Sequence, residues 1–176
     1  MIRLVRPAKE HEKEALEFKQ EFLDNGENTI NGSELLDQTD NYSDWLDAIT
    51  KNTSKESVNP QWVVTDTYFA LDDSNRIVGI IDLRHELKGF LEDFGNSGYS
   101  VRPSERKKGY ATQMLSLILE RARELHMDKL QLAAEKTNLP SIKTIVKNGG
   151  KYSRTFTVEG QEAYVYLISL NQKNPE

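Results

Sequence analysis

Apolar residues along this chain follow two rhythms, and the switches between them mark the elements. Ile2-Arg3-Leu4-Val5-Arg6 alternates with a period of two and predicts a strand, which Pro7 ends. Residues 9–24 place Ala15, Leu16, Phe18, Phe22 and Leu23 on a helical repeat, closed by Asp24-Asn25-Gly26. Residues 25–34 are polar and read as a loop. A short helix carries Trp45, Leu46 and Ile49, with Ser43 or Asp44 as its cap. Residues 51–61 form a second polar loop. Val63 to Leu71 and Arg76 to Leu83 then read as a hairpin around Asp72-Asp73-Ser74-Asn75, and Ile77-Val78-Gly79-Ile80-Ile81 is apolar enough for a central strand.

The second half repeats the alternation of strand and helix. Residues 86–94 suit a short helix or loop, and Gly98 to Val101 a strand. The segment 109–125 spaces Ala111, Met114, Leu115, Ile118, Leu119, Ala122 and Leu125 three and four apart, the stripe of a helix packed on a core. Lys129 to Ala134 reads as a strand. Asn138 to Lys147 reads as a helix, with Pro140 near its start, where a missing N–H costs little. Strands near 151–158 and 162–170 make a final hairpin around Glu159-Gly160. The apolar run Tyr164 to Ile168 fits either a covered central strand or the edge of a homodimer. The order β-α-α-β-β-(α)-β-α-β-α-β-β predicts a layered, mixed α/β fold, one domain over residues 1–176.

Composition removes several chemistries. Lys and Arg number 23 against 28 Asp and Glu, a net charge of −5, and the one basic cluster, 106–108, is too short for a nucleic-acid footprint. The absence of cysteine excludes disulfides and thiolate catalysis. His11, His85 and His126 lack metal-site spacing, so no metal is expected. The N-terminus shows no signal-peptide run and no stretch approaches a membrane span; a cytoplasmic protein without a membrane partner is expected.

The most specific chemistry lies in Val101-Arg102-Pro103-Ser104-Glu105-Arg106-Lys107-Lys108-Gly109-Tyr110-Ala111. A strand runs into a basic turn, and the turn opens a long helix. Free N–H groups and the positive end of the helix dipole converge there, beside Arg106, Lys107 and Lys108. Gly109 admits a close ligand, and Ala111 keeps the first turn uncrowded. A pyrophosphate suits such a site.

These residues resemble the GNAT (Gcn5-related) N-acetyltransferases. Val101, Pro103, Arg106, Gly109 and Ala111 match that family's Val-x-Pro strand end and its Arg/Gln-x-x-Gly-x-Gly/Ala turn. Asn138, Ser141 and Gly149 match a second motif, with Gly150 where Phe is usual. The resemblance covers residues 62–168. It is nearest to a bacterial branch of predicted acetyltransferases, through Leu83-Arg84-His85 and Gly98-Tyr99-Ser100-Val101-Arg102-Pro103-Ser104-Glu105-Arg106.

The resemblance implies a mainly antiparallel central sheet flanked by helices, with a splay between the two central strands. It implies acetyl transfer from acetyl-CoA, as cosubstrate, to a small-molecule or peptide amine by direct attack in a ternary complex. A CoA-binding sensor or interaction module without catalysis is the alternative. Val101 N–H would face the thioester oxygen. Residues Arg106, Lys107, Lys108, Gly109, Tyr110 and Ala111 would hold the pyrophosphate, while Asn138 and Ser141 would meet the pantetheine. Glu92, Asp93 and His85 are the candidate bases. Where the family often carries an acid Tyr, this chain has Ile145; either another hydroxyl serves, such as Tyr99, Tyr110 or Tyr152, or none is needed, because a thiolate is a tolerable leaving group near neutral pH. Phe69, Phe94, Tyr99 and Trp62 are candidates for an acceptor pocket. Net negative charge mildly favours cationic acceptors.

Overall fold

A computed structural model describes residues 1–171. The rest of the expected 1–176 domain, residues 172–176, lies outside the described residues.

Strand β1 (Arg3–Val5) is followed by a 3-10 turn and helix α1 (Glu12–Asp24). Helix α2 (Tyr42–Lys51) starts earlier than the sequence suggests. Asn41 is its cap, accepting a bond from Asp44 N–H, and this brings Tyr42 into the core with its hydroxyl on Ala8 O at 2.7 Å. Strands β2 (Thr65–Leu71) and β3 (Ile77–Arg84) form the expected hairpin. Then come α3 (Leu91–Phe94), β4 (Tyr99–Val101), α4 (Tyr110–Glu124), β5 (Lys129–Glu135), α5 (Leu139–Lys147), β6 (Lys151–Val158) and β7 (Gln161–Ser169).

The strands make two antiparallel sheets, ordered β1-β2-β3-β4 and β5-β7-β6. β7 therefore lies between β5 and β6, which explains the apolar run at Tyr164 to Ile168 as a covered central strand. The sheets meet where Gly95 bridges Leu132 and Asn96 N–H donates to Gln131 O.

Each face of the first sheet has its own core. Phe69, Leu71, Ile77 and Ile80 pack under α1 and α2, against Phe18, Phe22, Trp45 and Ile49. Val78, Ile81 and Leu83 pack under α4, against Met114, Leu115 and Ile118, and this core continues to Leu130, Leu132 and Ile168 of the second sheet. The register shifts between Ala70 and Leu71, where Ala70 pairs with Gly79 but Leu71 pairs with Ile77. This bulge resets the alternation of β3, so Ile80 and Asp82 share the α1–α2 face. Asp82 is thereby buried in the layer that carries the 25–34 loop.

Candidate active site

A cavity of about 750 Å³ opens between the two sheets. Tyr99, Ser100 and Val101 line it from β4, and Ala133, Ala134 and Glu135 from β5. The starts of α4 and α5 close one end. Phe94, Phe156 and Val158 border it, and the 27–32 loop covers it.

The α4 end is built for an anion. Helix α4 has no side-chain cap and no acid in its first turn. Its first i→i−4 bond from the turn is Gln113 N–H to Gly109 O, so the N–H groups of 109–112 precede the helical ladder. Lys107 (φ 64) and Gly109 (φ 83) adopt left-handed backbone, which curls the turn, and a Cβ on Gly109 would meet nothing within 4 Å. Backbone alternation aims β4 at the same space. Asp82 N–H donates to Gly98 O and Arg102 N–H to Val78 O, so the even-numbered residues of this segment serve β3. Tyr99 and Val101 therefore turn their backbone polar groups toward the gap.

Of the residues expected around a pyrophosphate and pantetheine, Val101, Arg106, Lys107, Gly109, Tyr110, Ala111, Asn138 and Ser141 all line this one cavity. Lys108 stands outside the lining, paired with Glu105 at 2.8 Å. Arg106 turns its guanidinium from the turn toward Glu27, which it grips with two bonds of 3.0 and 2.8 Å, and donates Nε–H to Val101 O. Asn138 caps α5, accepting from Ser141 N–H at 3.2 Å. Tyr99 spans from β4 to α5, its hydroxyl 2.8 Å from Ser141 Oγ. Burial raises the Tyr99 pKa, and the Ser141 bond opposes this only in part.

The three candidate bases do not gather there. His85 lies 2.8 Å from buried Asp66, which Arg6 also bonds. Burial pushes the Asp66 pKa up, but these two partners outweigh it and hold the carboxyl below its ordinary value. Asp93 pairs with Arg154 at 2.6 Å. Glu92 is exposed, and its carbonyl accepts from Gln131 and Arg154. None of the three lines the cavity. Tyr110 does, whereas Tyr152 bonds Thr155 on the surface. Ile145 is fully buried in the core under α4.

The polar 25–34 segment is the feature that sequence reading passes over. Gly32 lies so close to β4 that a Cβ there would come 2.2 Å from Gly98 O, and Ser100 Oγ donates to Asn31 O. Glu34 (φ 50) and Leu35 (φ 71) hold left-handed backbone, rare for such residues and kept only by surrounding contacts. The Glu34 carboxyl is buried beside Asp82, 3.9 Å from Arg84 Nε. Burial first, then the Asp82 carboxylate, raises its pKa to about 9 against the pull of Arg84 and Trp62. Arg84 lines the cavity, holding Gly95 O at 3.0 Å and Asp82 at 3.1 Å.

The sequence profile of the acetyltransferase (GNAT) domain matches residues 3–151, and the chain belongs to that family. The family uses acetyl-CoA. Among solved structures, the chain is similar to an N-acetyltransferase from Staphylococcus aureus Mu50, with TM-score 0.68 and 16% identity over 97% of this chain and 99% of that one. It is also similar to the spermidine/spermine N-acetyltransferase SpeG from Vibrio cholerae, with TM-score 0.66 and 12% identity over 96% and 94% of the two chains. Such identities speak for the fold alone. No curated protein matches the chain significantly in sequence. Among the described residues, no helix is long and apolar enough to cross a membrane.

Proposed function

We propose that this protein, as one catalytic domain, transfers the acetyl group of acetyl-CoA to a primary amine. The observation that carries the reading is one cavity bounded by an uncapped α4 N-terminus and by the gap-facing backbone of β4. The N–H groups of residues 109–112 hold the pyrophosphate, with Lys107 beside them. Asn138 and Ser141 border the pantetheine. When bound, acetyl-CoA supplies the acyl group: a C–N bond forms to the acceptor nitrogen, the C–S bond breaks, and the proton shed by nitrogen balances the thiol released.

The chain's own groups divide the remaining work. Val101 N–H faces the gap as a donor for negative charge developing on oxygen. Tyr99, which lines the cavity and bonds Ser141, is the hydroxyl that stands in for one at 145. A lysine-like amine near pKa 10.4 needs a base more than an α-amine near 8 does. His85 and Asp93 are already engaged by Asp66 and Arg154. Glu92 is exposed and outside the cavity lining, so none of the three candidates is assigned as the base and the proton of the amine leaves to solvent.

Thermal unfolding with and without acetyl-CoA tests the binding step. At about 100 times Kd, a ligand adds roughly 2.7 kcal/mol, or roughly 5–10 °C for a chain of this size. Gly109→Glu abolishes the shift, whereas Gly109→Asn, which tolerates left-handed backbone, retains part of it. A wild-type shift without thiol release across an amine panel returns the protein to a sensor role. Absence of any shift removes the reading.

A further inference from the structure

The cavity continues outward as a row of aromatic rings. Phe156 and Phe94 line it, with centroids 5.5 Å apart. Phe90 follows at 5.9 Å from Phe94, and Trp62 at 5.8 Å from Phe90. Phe90 is 62% exposed and Phe94 40%. Single exposed apolar residues need no explanation, but adjacent ones running into a cavity mark a binding surface.

Folding does not require these rings to face out. Leu91, 1% exposed, already anchors their segment in the core. Its backbone is pinned independently: Gln131 and Arg154 both donate to Glu92 O, at 2.7 and 2.8 Å. The rings are thus displayed on a fixed support.

Several charges around the mouth are matched in pairs. Asp93 is taken by Arg154, Asp82 by Arg84, and Glu27 by Arg106. Burial and the neighbouring Asp82 raise the Glu34 pKa. Glu92 beside the row and Glu135 in the cavity wall form no ion pair among the described residues. What distinguishes this surface is its four adjacent aromatic rings.

We infer that the acceptor is a primary amine with an aromatic or long aliphatic body. Its nitrogen lies toward Ser97 and Tyr99, and its body lies on Phe94, Phe90 and Trp62. The inference rests on the acetyl-transfer reading above and narrows its acceptor. It replaces the weak preference for cations drawn from net charge with a preference drawn from local surface.

The test compares 2-phenylethylamine, ethylamine and spermidine, with thiol release followed at saturating acetyl-CoA in wild type, Phe90→Ser and Phe94→Ser. Both replaced side chains are exposed, and the acetyl-CoA thermal shift of Phe90→Ser is expected to equal that of wild type. Expected is a kcat/KM for 2-phenylethylamine at least about tenfold above that for ethylamine. Phe90→Ser lowers this ratio at least about threefold, through KM. Binding is also read without turnover, as a change in tryptophan emission on adding 2-phenylethylamine, absent in Trp62→Phe. Spermidine as the fastest acceptor, an unchanged ratio in Phe90→Ser, or no emission change overturns the inference. A missing acetyl-CoA shift in wild type instead strikes the acetyl-transfer reading, and the emission titration then still decides whether the row binds an aromatic amine.

Discussion

Glu34 holds a proton that an exposed glutamate would have lost at neutral pH. Asp82, Arg84 and the Trp62 indole face its carboxyl, and burial beside Asp82 raises its pKa to about 9. The folded-state value lies above the ordinary 4.5. The proton-linked stabilisation is therefore complete below about 4.5 and is lost as pH rises through about 9. Between those limits the slope reaches at most about 1.4 kcal/mol per pH unit. Glutamine mimics the protonated acid and still offers a donor to Asp82. Glu34→Gln is accordingly expected to flatten the alkaline limb, with urea midpoints that diverge from wild type, in the variant's favour, between about pH 6 and about pH 9. Parallel midpoints across that range would refute the shared-proton arrangement. Glu34 was not legible in the sequence as a functional acid. Its environment is made by a β3 residue, and only the bulge at Ala70 and Leu71 turns Asp82 toward it.

At the scale of elements, legibility tracked the distance over which each signal acts. Helix α4 was readable because its stripe, its turn and its uncapped start all lie within a few residues. The strand order within the hairpins followed from local turns. The 25–34 segment read as a bare polar loop because its partners are remote: Asn31 meets Ser100 across 69 residues, and Glu27 meets Arg106 across 79. The second contact changes the meaning of Arg106. Its place in the motif is that of a phosphate turn, but its side chain reaches back to Glu27 and over the Phe22 ring. Two roles follow for it, a brace for the cover of the cavity and a ligand for a phosphate. A double-mutant cycle separates the two roles. As a brace, Arg106→Ala and Glu27→Gln each loosen the loop, and the double variant loses little more. The coupling is about 0.5–1 kcal/mol, as for a half-exposed pair, and is read from acetyl-CoA affinity and amide exchange at residues 27–32. As a direct phosphate ligand, Arg106→Ala weakens affinity while Glu27→Gln leaves or improves it.

Across the whole molecule, the α1 layer, the first sheet and the turn before α4 are tied together by one side chain. Arg102, the variable residue of the Val-x-Pro motif, is 4% exposed. Its guanidinium bonds Glu14 at 2.7 Å and Glu21 at 2.6 Å on α1, and Ile77 O at 2.9 Å on β3. Glu21 in turn accepts from Ser104 N–H at 2.7 Å, so the turn that leads into α4 is fixed to α1. Burial pushes the Glu21 pKa up, but the Ser104 and Arg102 bonds override it and lower the value to about 2. A depressed carboxylate stabilises the fold fully above its ordinary pKa of 4.5, and that contribution drains away as pH falls through about 2. Glu14 and Glu21 keep about a quarter of their side-chain surface in solvent, at 28% and 25%, so removing Arg102 leaves two carboxylates that water can partly rescue. Arg102→Met should then cost toward the lower end of a broken buried pair, roughly 3 kcal/mol, which lowers Tm by roughly 6–12 °C at neutral pH. The loss shrinks toward pH 2, where wild type no longer gains from the ionised Glu21. Methionine fills the volume, so a cavity alone would give a loss independent of pH. A Tm difference that stays constant from neutral to acid pH would show that Arg102 acts by packing and not as the ionic tie between the layers.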